Sequence, residues 1–461
     1  MKKSTHFLAS LVLAGLALPA ISGCAGKNNI TVWVGEESVD FYQKVCNEYI
    51  AEHTDFGYGI EVKGVDAGSI AGTISSDASS CADIYTVAHD NIGKLVNKNC
   101  AKPITNETLV GQVEKDNPSG FQDVIHFDYN EQNYLFAVPY ISQALFLYYN
   151  TDKVSEEQVK TFEGLQEAAE ANNCYAVDVT GTDGFNFSFT ILARKAEDNS
   201  TTLKLYEGGK KSNCWFQGDD EIASLRWAQR YFGDQKTGHG GHFADKDWPT
   251  DLQNEKALAV VGGAWHYNAA KASLGSKLGV TVLPTYTLTA EDVDGLTDGI
   301  VSAGTKMQGG TFADCKVFMI NSYSAAEKYV KIQELLTFLS SKDIQNRSFL
   351  EAMNVPAYSG ADEYVESVKD QLDQGVYQMA KAQIKMADYG IAQPFISGTL
   401  NTYYYSSKGP DNYKDVILKT GGRGADLYHL RGELYSIQNI WQHGEPIAEA
   451  NWPAVLPATI E

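Results

Sequence analysis

The sequence predicts an α/β protein with more than one domain. Three observations carry that prediction. Short β-rich runs alternate with amphipathic helical stretches along most of the chain, the pattern of parallel sheets covered by helices. The 461 residues exceed what a single hydrophobic core usually organises. Hydrophobic residues make up 43% of the chain and charged residues 21%, a folding composition and not a disordered one.

In chain order, "MKKSTHFLASLVLAGLALPAISGC" comes first. Lys2 and Lys3 precede an apolar stretch from Phe7 to about Ala20 that is too short for a stable membrane span and is closely followed by small residues. Residues 1–23 are therefore expected to be a secretory signal peptide. Ile21-Ser22-Gly23 before Cys24 resembles the bacterial lipobox, so Cys24 is expected to carry the lipid, with 24–29 as anchor and tether. No later segment reaches ~18 consecutive apolar residues.

"ITVWV" (Ile30 to Val34) reads as a strand. After it, Val39, Tyr42, Val45 and Tyr49 mark one face of a helix, with Ser38 as its N-cap. "YGIEVKGV" and "DIYTV" read as strands. Ala67 to Asp77 and "NIGKLVNKN" read as helices. Further on, "LFLYYN", "CYAVDV", "ALAVVGG" and "GVTVLP" are strand candidates, and Ser155 to Ala171 and Glu221 to Tyr231 are helical. "SAAEKYVKIQELLTFLSS" is strongly amphipathic. The polar, turn-rich pieces "EDVDGLTDG" and "SSKGPDNY" are candidate breaks, but neither is a long flexible linker. Two domains must then be closely packed or cross-connected.

A net charge of −21 disfavours nucleic acid and anionic lipid surfaces as partners. Beyond Cys24, the six cysteines Cys46, Cys81, Cys100, Cys174, Cys214 and Cys315 form no C-x-x-C pair. Export permits disulfides, for which six cysteines allow 15 pairings, while buried thiols are the alternative. Cys174 and Cys214 fall in one half and the other four in the other, so pairing within each half is expected if disulfides form.

No P-loop, dinucleotide fingerprint, nucleophile elbow or H-E-x-x-H is present, so no enzyme class is indicated and no cofactor is expected. In "GHGGHFADKDW", His239 and His242 lie near Asp245 and Asp247. Their glycine-rich setting reads as a solvated loop, and no metal is expected. Aromatic residues stand out, with 26 Tyr, 19 Phe and 7 Trp. Several fall where strands stop: Trp33 before "GEES", Trp265 after Gly262-Gly263, and Tyr403 to Tyr405. Ligands of open α/β sheets bind beyond the carboxyl ends of strands. Flat aromatic faces there suit a flat ring bearing C–H groups, such as a pyranose. Glu36, Glu37, Asp90 and Gln143 can accept hydrogen bonds from its hydroxyls. Any one tyrosine of "YYY" reads as core. Trp265 reads as a platform, because a Gly-Gly exit is a weak place to build core.

"ADIYTVAHDNIGKLV", "FAVPYISQALFLYYN" and "ALAVVGGAWHYNAAKASLGSKLGVTVLPTY" together resemble the maltose/maltodextrin-binding proteins, extracellular solute-binding lipoproteins of ABC sugar importers. The resemblance runs from about Ile30 to about Tyr405. It implies two α/β lobes in a periplasmic-binding-protein-like fold, with the ligand cleft between them and multiple hinge crossings. The first lobe would take 30–141 and 292–342, and the second 142–291 and 343–461, with crossings near Ser142, Asp292 and Lys342. By the same resemblance, Trp265 and Tyr404 are aromatic platforms, and Phe187 aligns loosely with a third. Asp90 accepts sugar hydroxyls, and Glu36 and Glu37 lie in a loop that touches sugar. Trp33, Asp66, His89, Gln143 and Tyr403 complete the expected site. Val87 departs from a family tryptophan, Asn91 from an arginine and Gln143 from an acidic residue. The resemblance implies a monomer that captures an oligosaccharide, with maltodextrin the first guess, and delivers it to membrane permease subunits. A different sugar, a surface glycoside hydrolase or lyase, and an adhesive lipoprotein are the alternatives.

Overall fold

The computed structural model describes residues 28–180, 184–203, 215–391, 413–418, 426–443 and 447–456. Cys24, Tyr403 and Tyr404, read above as the lipid site and as cleft aromatics, lie outside the described residues.

The chain opens with β1 (Asn29–Gly35), helix Val39–Glu52, β2 (Gly59–Val65) and β3 (Ile84–Ala88). β1 pairs in parallel with both β2 and β3, as the alternation of strand and helix predicts. The helix turns Phe41, Tyr42, Val45, Cys46 and Tyr49 inward. Ser38 stands at its N-cap, yet its hydroxyl caps no helical N–H. β4 (Ala101–Lys102) and β5 (Ala137–Gln143) follow.

At Gln143 the chain leaves this sheet. β6 (Phe146–Asn150), β7 (Tyr175–Val179), β8 (Gly241–Phe243), β9 (Ala257–Gly262) and β10 (Leu278–Thr281) build a second sheet, ordered β8-β7-β9-β6-β10. β11 (Asp314–Asn321) then re-enters the first sheet, which reads β2-β1-β3-β11-β4 with β5 also paired to β11. Each sheet has its own buried core. One is built around Val32, Ile84, Val317 and Leu335, the other around Leu147, Phe162, Val177, Trp227 and Val260. The helix Leu427–His443 adds Leu430, Leu434 and Ile437 to the second core.

Among the described residues, three segments join the two cores, and they lie side by side. The Leu145 N–H donates to Thr311 Oγ1 at 2.9 Å, and Asp314 lies opposite Gln143. The Ser142 N–H donates to the Val355 carbonyl at 2.8 Å, and Gln383 Nε2 donates to the Ser142 carbonyl at 2.7 Å. Within helix Lys342–Ala352, Ile344 packs with the first core and Phe349 with the second. This explains why no linker was visible in the sequence. One boundary moves: the chain returns to the first core at Ala313–Asp314, not at Asp292. Tyr286, Leu288, Met307 and Phe312 all belong to the second core, and Asp292 is buried there against Arg230 at 2.7 Å. A turn-rich stretch marks a change of direction, which a crossing and a turn within one lobe both require.

Helix Ser155 to Ala171 is shorter than its periodicity suggested, running Phe162–Asn172. Thr161 Oγ1 accepts the Gly164 N–H at 2.9 Å and so sets its start. Cys46, Cys81, Cys100, Cys174 and Cys315 carry free thiols, so pairing within the first lobe is not seen; Cys214 lies outside the described residues. Cys46 and Cys315 are core residues, and burial pushes the Cys46 thiol up to about 12. Among the described residues no helix is long and apolar enough to cross a membrane.

Candidate functional site

The registers bring several of the singled-out residues to one edge of the first sheet. Gly35 at the end of β1 lies opposite Val65 at the end of β2, so Glu36, Glu37 and Asp66 leave the sheet together. β3 ends at Ala88, opposite Lys316, and His89 and Asp90 follow it. β5 ends at Gln143, opposite Asp314. This is the carboxyl edge of the parallel strands, where open α/β sheets take their ligands.

The edge is charged and partly matched. Lys316 Nζ lies 3.2 Å from Glu37 Oε1. Partial burial pushes the Glu37 carboxyl up, but the Lys316 ammonium and a backbone N–H outweigh this and hold it below the usual carboxylate range. Asp90 Oδ1 accepts from Asn91 Nδ2 at 2.9 Å. Glu36 and Asp66 are exposed. His89 differs from its expected role. It is buried, it accepts the Cys315 N–H at Nδ1 (3.4 Å), and its Nε2 lies 3.7 Å from Asp314 Oδ1. It braces the edge from below. Trp33 also departs from the reading as a strand-end aromatic. β1 continues to Gly35, and the Trp33 ring packs, partly buried, against the first core.

The second sheet presents the same kind of edge. β7 and β9 run parallel. After β7 comes the short 3-10 segment Gly184–Thr190, which includes Phe187. After β9 come Gly263, Ala264 and Trp265. Trp265 is 43% exposed, against full burial for Val260 and Val261 in the strand before it. The two glycines now have a steric explanation. A Cβ on Gly263 would sit 2.1 Å from the Trp265 ring, and one on Gly262 would sit 2.2 Å from His266 Nδ1. The two rings fold back over bare backbone. The Gly263 carbonyl is held in place by the Tyr148 hydroxyl, which donates to it at 2.9 Å. Behind Trp265, the His266 ring lies 4.9 Å from that of Trp248, and burial pushes the His266 imidazole down to about 4, so it is neutral at pH 7.

This geometry makes a clean substitution. Gly263 has φ −110° and ψ −173°, which any residue adopts, so Gly263→Ala adds no backbone strain and acts only by displacing the Trp265 ring. Its melting temperature should stay close to wild type, while any affinity that depends on the ring should fall about tenfold. Calorimetric titration checks this; unchanged affinity in Gly263→Ala would mean that the ring position is irrelevant to binding.

The two edges meet at the crossings. Gln143 ends β5, and Phe146, three residues on, pairs with Gly262. Three residues span at most about 11 Å, so the edge bearing Gln143 and the edge leading to Trp265 are neighbours. Sequence reasoning missed Lys316, Asp314 and Thr311, whose positions depend on the return strand. A cavity of 810 Å³ borders the crossings at Ser142 and Pro356 and is lined also by Phe121, Val280, Tyr358 and Lys381. It takes in none of the expected ligand-binding residues.

The His239, His242, Asp245 and Asp247 stretch does not assemble as one group. The His239 ring bonds the Cys174 carbonyl at 2.9 Å, while His242 Nδ1 lies 3.0 Å from Asp178 Oδ1. Burial pushes the Asp178 carboxyl up to about 6, against the opposing pull of His242.

Comparison with known proteins bears on what these edges serve. No curated protein sequence matches the chain. Among solved structures, the maltodextrin-binding protein MalE1 from L. casei BL23, without ligand, is similar with a TM-score of 0.68 at 19% identity, covering 90% of this chain and 98% of that one. The extracellular solute-binding protein from Staphylococcus aureus in complex with maltose gives 0.61 at 18%, covering 90% and 98%. MalX from Streptococcus pneumoniae in complex with maltopentaose gives 0.61 at 18%, covering 88% and 100%. At these identities the likeness shows a shared two-lobed fold. The family described as bacterial extracellular solute-binding protein matches residues 44–372, well over half of the chain. With two cores joined by three crossings and an open strand-end edge on each, the chain belongs to the bacterial extracellular solute-binding protein family.

Proposed function

We propose that this protein captures an oligosaccharide between its two strand-end edges and hands it to the permease of an ABC importer, with α-linked glucose oligomers as the ligand. One observation carries the reading. Trp265, a large aromatic seated on bare glycine backbone and 43% exposed, stands beside an edge rich in hydroxyl acceptors: Glu36, Glu37, Asp66, Asp90 and Gln143. A flat ring beside carboxylates and an amide is the chemistry that recognises a pyranose. Solved neighbours that bind maltose, maltotetraose and maltopentaose at similar fold support the ligand class. Tyr403, Tyr404 and Phe187 belong to the same reading as further aromatic walls. Lipid attachment at Cys24, and with it display on the outer face of the cell membrane, rests on the "ISGC" sequence.

The test is a thermal-shift screen of the purified chain over mono-, di- and longer maltodextrins and unrelated sugars. A ligand at ~100 times its dissociation constant stabilises by about 2.7 kcal/mol. Maltodextrins are expected to raise the melting temperature and to keep their chain-length distribution on prolonged incubation. Stabilisation by another sugar alone replaces the ligand; steady release of shorter products replaces binding with hydrolysis.

A further inference from the structure

The second sheet holds a group of chemistry-bearing side chains that sugar capture does not use. β7 and β8 pair in parallel, with Asp178 opposite His242. Helix Trp248–Gln253 brings Asp251 against them. One ligand atom from each of the three, two carboxylate oxygens and one imidazole nitrogen, lie within 4.8 Å of one another. The Asp178 side chain is fully buried, and its Oδ2 has no hydrogen-bond partner. A buried carboxylate with an oxygen left over is costly, because desolvation is met by one hydrogen bond, from His242, where the group accepts several. The His242 ring is held flat on Tyr175, with centroids 4.2 Å apart and planes 10° from parallel, so its orientation is set before any ligand arrives.

We infer that Asp178, His242 and Asp251 form a divalent-cation site that takes zinc. The donor set selects the metal. Magnesium and calcium prefer oxygen throughout, whereas an imidazole with carboxylates suits zinc and its transition-metal neighbours. Zinc–ligand distances of about 2.0–2.2 Å place tetrahedral donors roughly 3.3–3.5 Å apart, so three donors gathered within 4.8 Å need only small side-chain shifts. His242 is 23% exposed, which gives a metal a path from solvent, while the Asp178 side chain is fully buried. Lys256 shapes the site too. Its ammonium lies 3.2 Å from Asp251 Oδ1, and its side chain is 65% exposed, so it is a free-swinging competitor for the metal. The site ties the outer strands of the second sheet to the helix carrying Trp248, whose ring meets His266 beside Trp265. The inference does not depend on the identity of the sugar.

The test uses the full chain, stripped with chelator and titrated with zinc alone by calorimetry. One zinc per chain and a raised melting temperature are expected, with magnesium producing neither. His242→Ala should weaken binding by at least the ~10–100-fold that loss of a mere outer-shell partner costs. His242→Gln, which keeps a polar side chain against Asp178, should do the same, covering the case in which the alanine variant fails to fold. Lys256→Met should tighten binding several-fold, an effect that adventitious surface binding does not produce. His429→Ala serves as control, because His429 sits between Asp426 and Glu449 in a separate exposed group. Zinc binding that survives both His242 variants, that disappears in His429→Ala, or that is absent from wild type overturns the assignment.

Discussion

Trp227→Ala is expected to destabilise the ligand-free protein by about 3–5 kcal/mol, the cost of removing a fully buried tryptophan side chain. The ring is sealed in the second core. It stacks on Tyr286 with centroids 3.8 Å apart and on Tyr231 at 5.2 Å, and it meets the edge of Phe162 at 5.1 Å. Truncation leaves a cavity that three aromatic neighbours cannot fill without leaving their own contacts. The melting temperature of the second lobe should fall by roughly 10 °C, from about 2–4 °C per kcal/mol for a body of this size. Oligosaccharide affinity measured well below that transition should change little, since Trp227 presents no surface. Differential scanning calorimetry decides the matter. A transition within a degree or so of wild type would mean that the core around Trp227 is not packed as described.

Trp265→Ala is expected to behave the other way. Loss of one stacking face is worth roughly 1–3 kcal/mol by analogy with aromatic stacking on nucleic-acid bases, so affinity should drop about ten- to a hundredfold or more. Ligand-free stability should move by only about 0.5 kcal/mol, as for most exposed positions. The same amino acid type thus gives opposite signatures at two positions in one lobe, because one ring is enclosed and the other is 43% exposed. Side-by-side melting and titration of the two variants separates the readings. A large fall in melting temperature for Trp265→Ala with binding retained would make "GGAWHY" a piece of core and remove the platform from the proposed function.

The strand-end positions proposed as the site were legible in the sequence. Trp265 was picked out because a bulky ring follows a Gly-Gly exit, and the structure gives the reason, since both glycines lie under rings. Glu36, Glu37 and Asp90 were legible because they follow β-rich runs, and the carboxyl ends of parallel strands fall on one edge, while Asp66 came from the resemblance. The same logic misled at Trp33. The strand runs two residues beyond Trp33, and alternation puts Val32 and Val34 in the core. His89 was expected at the site by position; it is buried, with its ring nitrogens beside Asp314 and the Cys315 N–H.

The sequence by itself determined the class of each element, the alternation that pairs β1 with β2 and β3, and β7 with β8 and β9, in parallel, and which loops emerge at strand ends. These follow from local periodicity and backbone preference, which neighbouring residues carry between them. Only the tertiary structure decided which distant segments meet. The return strand brings Lys316 to Glu37 and Asp314 to His89, and it postpones the second crossing from Asp292 to Ala313–Asp314. Asp178 finds His242 and Asp251 through sheet register and helix packing, across 64 residues in the first case. No local pattern encodes such partners, because they are selected by the cooperative burial of two cores and not by any one stretch of chain.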